Sequence, residues 1–127
     1  MATGIAATRV RLKRAYEAPA AGDGARVLVD RLWPRGVRKG DAALHSWAKD
    51  LAPSDALRRW FGHDPSHWDE FRRRYRSELA GQRNGVAVLR GLARQGTLTL
   101  VYGARDTEHN EAVVLRNVIL GRAAKRS

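Results

Sequence analysis

The chain has 127 residues, of which 43% are apolar and 29% charged, values typical of a single globular domain. Cysteine is absent, which excludes disulfides, thiol chemistry and thiolate metal sites. No stretch approaches the roughly 20 apolar residues that a membrane-spanning helix needs, and the N-terminus lacks the apolar core of a signal peptide, so we expect a cytoplasmic protein.

The formal net charge is +11, and arginine supplies most of the 24 cationic side chains. Such a charge is typical of proteins that bind nucleic acid or another polyanion. A preference for Arg over Lys, beside many Ala and Gly residues, is also what a GC-rich genome produces on any protein surface. The net charge leaves both interpretations open, and the clustering of the arginines must decide between them.

Three short segments are predicted to form strands. Residues 9–14 alternate cationic and apolar side chains, as an edge strand does, whereas residues 26–30 form a buried run. Residues 97–101 are β-branched and apolar and are predicted to be central. Because helical segments separate these runs, we expect an α/β fold, a single small domain with a short, mostly parallel sheet of three to four strands flanked by helices.

The same pattern predicts where the domain begins and ends. The α/β domain is expected to span residues 9–121. Residues 1–8 have neither period nor turn chemistry and are predicted to be a flexible N-terminus, and residues 122–127 are predicted to be a basic tail.

The first predicted helix follows a loop rich in cations. Asp41 is expected to cap it, and Leu44, Trp47 and Leu51 are spaced three and four apart, as a buried helical stripe requires. Pro53 is predicted to end this helix.

Cap residues predict the next two helices. Ser54 or Asp55 is expected to cap the second, which ends at Gly62, and Ser66 with Asp69 resembles a capping box for the third. The apolar face of the third helix comprises Trp68, Phe71, Tyr75 and Leu79.

Two more helices are predicted towards the C-terminus. Val86, Leu89 and Ala93 share one helical face, and this helix is expected to close at the following glycine. The last helix is predicted to begin at a cap formed by Asp106 or Thr107.

Residues 30–39 combine four cations with a Trp directly after the strand 26–30. Pro34 fixes its own φ and Gly36 allows a positive φ, so this loop is expected to hold one shape. Arg31 and Arg35 would then bind a carboxylate or phosphate through paired hydrogen bonds.

The predicted strands 26–30 and 97–101, if adjacent and parallel, end at the same edge of the sheet, where ligands gather in open α/β sheets. The unpaired N–H groups of a helix beginning near residue 107 would favour an anion at this edge. The anion-binding residues expected there are Arg31, Trp33, Arg35, Arg38, Arg105, Asp106 and Asn110. We therefore predict a site for a phosphate- or carboxylate-bearing small molecule or a nucleotide. The alternative is that Asp30 and Arg31 form internal salt bridges and the loop only closes the domain.

Whether a reaction follows binding is left open. If the protein is an enzyme, Asp30 or His63 would transfer a proton and Tyr102 would orient the substrate. A His in this position more often caps a turn. No cluster of His or carboxylate residues has metal-ligand spacing, and no Gly-rich phosphate fingerprint follows a strand, so neither a metal nor a cofactor is expected.

The densest run of charge offers a second interpretation of function. Arg72, Arg73, Arg74 and Arg76 spread over the outer side of the third helix. A solvated helix face is the ordinary explanation of such a run. The alternative is a nucleic-acid-binding or regulatory module, for which binding would weaken steeply with salt.

Five segments carry a specific family resemblance. They are Val29-Asp30-Arg31-Leu32-Trp33-Pro34-Arg35-Gly36, Leu51-Ala52-Pro53-Ser54, Leu57-Arg58-x-Trp60-Phe61-x-His63, Phe71-x-x-x-Tyr75-x-x-Glu78-Leu79 and Leu98-x-Leu100-x-Tyr102-x-Ala104-x-Asp106. In order and spacing they resemble the domain-of-unknown-function 488 (DUF488) family, in its short YeaO-like branch, over about residues 9–120.

The resemblance implies a small bacterial α/β domain with no established reaction or cofactor. The polar residues that the family shares correspond to Asp30, Arg31, Arg35, Tyr102 and Asn110. Where relatives often have Lys after the last strand, Arg105 keeps the charge but lacks a nucleophilic amine, so Schiff-base chemistry is not expected.

Overall fold

The β-branched segment that ends at Tyr102 forms the centre of a four-stranded sheet. In the computed structural model, which describes residues 3–122, all five of its residues are buried. The strands are β1 (Val10–Arg14), β2 (Ala25–Leu28), β3 (Ser46–Trp47) and β4 (Leu98–Tyr102). The α-helices are α1 (Lys39–Ala42), α2 (Asp55–Phe61), α3 (Trp68–Ala80), α4 (Arg83–Gln95) and α5 (Glu111–Ile119).

The strand order is β1-β4-β2-β3, and every neighbouring pair is parallel. This confirms the predicted single small α/β domain with a parallel sheet. As predicted, β4 is central and β1 lies at an edge. Leu28 at the end of β2 is in register with Val101 of β4, so the two following loops leave the sheet at the same edge.

The helices bury their apolar faces on the sheet and on one another. On α3, Phe71, Tyr75 and Leu79 are at most 3% exposed, as their spacing predicts. Helix α5 contacts β1, β4 and α3, and α4 contacts β4. The core thus lies between the sheet and these three helices, and its burial is the main stabilisation of the fold.

The prediction of a helix from Asp41 through Leu51 is wrong. Helix α1 ends after four residues because Ala43 adopts a left-handed conformation, with φ at 49°. The chain then forms β3, in which Trp47 is paired with Leu28 of β2 and is 37% exposed. The open edge of β2 supplies backbone hydrogen bonds that the helical spacing of the apolar residues does not reveal.

Helix α2 begins and ends as its sequence predicts. The hydroxyl of Ser54 accepts a hydrogen bond from the Leu57 N–H at 3.2 Å, and Gly62 ends the helix with φ at 55°. The predicted capping box of Ser66 and Asp69 is wrong, since α3 begins only at Trp68 after a 3₁₀ turn.

The predicted start of α5 near residue 107 is also too early. Asn110 caps the helix by accepting a hydrogen bond from the Val113 N–H at 3.2 Å. The Asp106 carboxylate instead accepts hydrogen bonds from the N–H groups of Glu108 and His109, which holds the preceding loop.

Part of each predicted terminus is described. Ile5 packs against the core, and the hydroxyl of Thr3 donates to the Leu120 carbonyl at 3.4 Å. Residues 1–2 and 123–127 lie outside the described residues, so the flexible N-terminus and the basic tail stay predictions there. None of the helices within residues 3–122 is both long enough and apolar enough to cross a membrane.

Candidate functional site

A cleft of about 600 Å³ opens at the sheet edge where β2 and β4 end. The loops that follow these two strands both line it, and α2, the start of α3 and the start of α5 complete its walls. Pro53, Phe61 and Phe71, all buried, supply apolar wall. Clefts of this size, mostly apolar with a few polar groups, are typical of small-molecule sites.

The foot of the cleft holds two carboxyl groups. One Asp30 oxygen, Oδ2, accepts a hydrogen bond from the Gly103 N–H at 2.9 Å, while the other, Oδ1, is buried. The carboxyl group of Glu111 lies beside Asp30 and accepts at Oε2 from the Ala112 N–H at 3.2 Å. Two neighbouring carboxyl groups can form a hydrogen bond to each other only if one of them carries a proton.

The environment of this pair favours the protonated form. Burial raises the pKa of Asp30, although the hydrogen bond with Glu111, the Gly103 N–H and the charge of His63 act in the opposite direction. Burial, the charge of Asp30 and the hydrogen bond with it raise the pKa of Glu111 well above its usual range. Because each carboxyl group affects the titration of the other, the raised pKa values belong to the pair. The pair can therefore hold a proton at the foot of the cleft at pH values where separate carboxylates would be ionised.

The loop after β2 is held by its own side chains. The indole N–H of Trp33 donates to the Val37 carbonyl at 2.7 Å, and that of Trp47 donates to the Asp30 carbonyl at 2.7 Å. The two indoles meet edge to face with centroids 5.5 Å apart. Gly36 adopts φ of 83°, the conformation for which glycine was expected there. The loop is thus fixed from both ends, which limits the freedom of the side chains that line the cleft.

Three arginines among residues 3–122 line the cleft. Arg31 donates from Nε to the Pro53 carbonyl at 2.9 Å and from Nη2 to the Ala52 carbonyl at 3.3 Å. Arg58 comes from α2, and Arg105 is exposed in the loop after β4. Backbone carbonyls fix Arg31 in place without neutralising its charge.

Several other residues that the sequence singles out also line this cleft. They are Asp30, Trp33, His63, Asp106 and Asn110. His63 is exposed with a left-handed φ of 57°, an uncommon conformation for a non-glycine residue that is found preferentially at functional sites. Asn110 is 2% exposed and donates to the Asp106 carbonyl at 2.8 Å, so its amide both caps α5 and holds the loop.

A family model with the description "Inactive DUF488-N3 subclade" matches residues 9–127. The chain belongs to this DUF488 family. An uncharacterized protein of Mycobacterium tuberculosis is 44% identical over 115 residues, which cover 91% of this chain and 97% of the relative. The uncharacterized protein YeaO of Escherichia coli is 42% identical over 106 residues, which cover 84% of this chain and 92% of YeaO. No solved structure matches. The predicted resemblance to YeaO-like DUF488 proteins is confirmed.

Three predicted site residues of this DUF488 chain do not line the cleft. Arg35 and Arg38 are exposed in the loop after β2, where the Arg35 carbonyl accepts a hydrogen bond from the Tyr16 hydroxyl at 2.9 Å. Tyr102 is 3% exposed in the core, where burial and then the charge of Glu17 raise its pKa. The structure therefore brings Arg31 together with Arg58 and Arg105, and not with Arg35.

Sequence reasoning missed Glu111 and Arg58. An acidic residue in the first turn of a helix is ordinary because it complements the helix dipole, so Glu111 gave no signal of its own. A cation on a short amphipathic helix is equally ordinary, and Arg58 pairs with Asp55 at 3.3 Å on the same helix. A sequence signal for Arg58 did exist, since it lies in one of the five family segments together with His63.

The arginines of α3 lie outside the cleft. Arg72 pairs with Asp69, and Arg73 and Arg74 both pair with Glu70. Arg74 also lies over the Trp60 ring, 4.5 Å from its centroid, and Arg76 donates to the Arg122 carbonyl at 2.7 Å. Three of these four guanidiniums thus have acidic partners on their own helix.

A second hollow, of about 580 Å³, runs along the edge strand β1. Its charged side chains are engaged: Lys13 pairs with Asp23 at 3.0 Å, and Arg116 donates to the carbonyls of Val10 and Ala7. Within residues 3–122, no group of three or more His, Cys, Asp or Glu side chains is placed to hold a metal ion. The cleft at the ends of β2 and β4 therefore remains the candidate site.

Proposed function

We propose that this DUF488 protein binds a small molecule carrying a phosphate or carboxylate group in the cleft at the ends of β2 and β4. The observation that carries the proposal is the convergence of Arg31, Arg58 and Arg105 on one cleft with apolar walls. Guanidinium groups bind phosphate and carboxylate oxygens through paired, charge-assisted hydrogen bonds. A nucleotide falls within this ligand class.

The placement of the two carboxyl groups favours one position for the anion. Asp30 and Glu111 occupy the foot of the cleft. The anionic group of a ligand placed there would be repelled by their negative charge. Arg105 is exposed, and Arg58 has a side chain that is 38% exposed, so cationic charge is concentrated nearer the rim. The acid group of the ligand therefore lies at the rim, and the rest of the ligand extends inward.

Arg31 supports binding through pre-organisation. Two backbone carbonyls already hold its guanidinium, so little side-chain entropy is lost when a ligand contacts it. The word "inactive" in the description of the family accords with binding without turnover. If a reaction does take place, Asp30, Glu111 and His63 are the groups that we expect to transfer a proton.

The proposal is tested by titrating inorganic phosphate, methyl phosphate and butyrate into the wild type and the Arg105→Ala variant, with calorimetry and thermal unfolding as measurements. We expect at least one of these anions to bind and Arg105→Ala to weaken binding about three- to tenfold, because a charge-assisted contact is lost. Arg83→Ala is the matched control, since Arg83 is an exposed arginine on α4 that does not line the cleft. Equal affinities of the two variants, or no binding of any of the anions, would count against the proposal.

A further inference from the structure

Exposed apolar side chains are concentrated at this cleft. Within residues 3–122, four large apolar side chains are exposed, namely Tyr16, Leu32, Trp47 and Val88. Tyr16 and Leu32 line the cleft, and Trp47 packs against Trp33, which also lines it. Single exposed apolar residues need no explanation. A group of them around one concave surface, however, marks a site that an apolar part of a ligand or partner covers.

The loop geometry keeps these side chains from folding inward. Trp33 is held by its hydrogen bond to Val37 and by the edge-to-face contact with Trp47. Tyr16 is held by its hydroxyl, which donates to the Arg35 carbonyl. Leu32, between the held residues Arg31 and Trp33, remains 56% exposed. The exposed apolar surface is therefore fixed in place before any ligand arrives.

We propose that the ligand is an aryl anion, whose aromatic body covers Leu32 and Trp33 while its phosphate or carboxylate lies against the rim arginines. This inference rests on the proposed function, because it names the ligand class of the same cleft. Phe61 and Phe71, which are stacked with centroids 4.3 Å apart, also line the cleft, so the aromatic body finds further apolar wall there. The charge of the arginines favours a small anion over an uncharged apolar partner.

The test compares phenyl phosphate with methyl phosphate, two probes that carry the same phosphate but differ in the aromatic body. We expect phenyl phosphate to bind the wild type about tenfold or more tightly, since burial of one ring removes a large apolar area from water. Leu32→Ser should reduce this advantage severalfold. Val88→Ser should leave it unchanged, because Val88 is a comparably exposed apolar residue on α4, outside the cleft.

The outcomes separate the two proposals. Equal affinity for the two probes, with Arg105→Ala still weakening both, would overturn the aryl inference and leave the anion site intact. Binding of phenol that is lost in Leu32→Ser, with no effect of Arg105→Ala on phenyl phosphate, would remove the anion site and retain the aromatic one. A wild-type dimer in light scattering that Leu32→Ser converts to a monomer would show that a second copy covers this surface, and would overturn the inference.

Discussion

The carboxyl groups of Asp30 and Glu111 lie beside each other at the foot of the cleft, although one residue follows β2 and the other opens α5. The buried oxygen Oδ1 of Asp30 has no hydrogen-bond partner among residues 3–122, and a protonated Glu111 would supply a donor to the Asp30 carboxyl group. One shared proton removes the repulsion between two negative charges and gives the unpartnered oxygen a hydrogen-bond donor. Two carboxyl groups that share a buried site commonly hold a proton in this way. The protonation of this pair should therefore be visible in the stability of the fold.

Glu111→Gln should change how stability depends on pH. Burial and the charge of Asp30 raise the pKa of Glu111, so the folded protein binds more protons than the unfolded chain above about pH 4. Stability contributed by the proton is present below that pH and is lost as pH rises through the raised folded pKa. The substituted amide side chain keeps the shape of the glutamic acid, carries no charge and can donate to Asp30. We expect the variant to gain about 1 to 3 kcal/mol over the wild type at pH 8 and less at pH 5.

Urea unfolding at a series of pH values measures this difference. Glu108→Gln is the control, because Glu108 is an exposed acid just before the same helix and should show no such trend. A difference between wild type and Glu111→Gln that is constant from pH 5 to pH 8 would mean that the Glu111 carboxyl titrates as a solvated group, and the shared proton would have to be abandoned.

Gly103→Ala should disturb the same pair from the side of β4. A Cβ at this position would lie 2.9 Å from Asp30 Oδ2, the oxygen that accepts the Gly103 N–H, so the carboxylate has to move and its hydrogen bond weakens. We expect a loss of about 1 to 3 kcal/mol of unfolding free energy. Gly91→Ala, on α4 with no neighbour within 4 Å of its Cβ position, should instead stabilise by about 0.5 to 1 kcal/mol. An unchanged free energy of unfolding in Gly103→Ala would show that the Gly103 N–H does not hold Asp30.

Asp23 belongs to a second buried ionic group. It lies directly before β2, at the opposite end of the strand from the cleft loops. Its carboxylate accepts from Arg26 at 2.7 Å, from Lys13 and from the Ala20 N–H, and Arg26 is only 4% exposed. Burial acts to raise the pKa of Asp23, but these donors outweigh it and the pKa is lowered. The charged carboxylate is thus the form that the fold requires.

Asp23→Asn should therefore cost about 3 to 5 kcal/mol, since it leaves Arg26 buried without its counter-charge. Asp55→Asn is the control, because the Asp55–Arg58 pair is exposed and should contribute less than about 1 kcal/mol. Denaturant unfolding of both variants measures the contrast. Similar small losses in the two variants would show that the Arg26 charge is compensated elsewhere.

The parts of the fold that the sequence predicted are those in which local pattern and tertiary environment agree. The segment Leu98–Tyr102 is apolar and β-branched and is buried on both faces, so its strand and its central place were readable. The segment Ser46–Trp47 was not, because it is two residues long, exposed and placed within a helical spacing of apolar residues. This strand forms because the backbone pairs with β2. The N–H of the next residue, Ala48, donates to the Leu28 carbonyl at 2.8 Å, a hydrogen bond between distant parts of the chain.

The candidate site divides in the same way. Asp30, Arg31 and Trp33 were identifiable because polar residues that directly follow a buried strand lie at a ligand-binding edge of the sheet. Glu111 was not identifiable, since its carboxyl group acquires a raised pKa only through packing beside Asp30. Polar residues on loops that follow strands can be identified from the sequence, whereas a residue whose properties depend on a tertiary neighbour cannot.

The arginines of α3 allow a direct test of nucleic-acid binding. Arg73 and Arg74 both pair with Glu70, so part of the charge on this face is compensated within the helix. We expect a duplex of about 20 base pairs to bind weakly and non-specifically at low salt through the overall positive charge, and to dissociate steeply as salt rises. On this basis the double variant Arg73→Glu with Arg74→Glu should lose no more affinity than the double variant Arg59→Glu with Arg83→Glu, whose exposed arginines lie on α2 and α4.

Fluorescence anisotropy at two salt concentrations measures both variants. If the α3 variant alone lost about tenfold or more in affinity and lowered the salt slope by about two, the face of α3 would track phosphates, and the nucleic-acid interpretation would replace the cleft as the leading account of function.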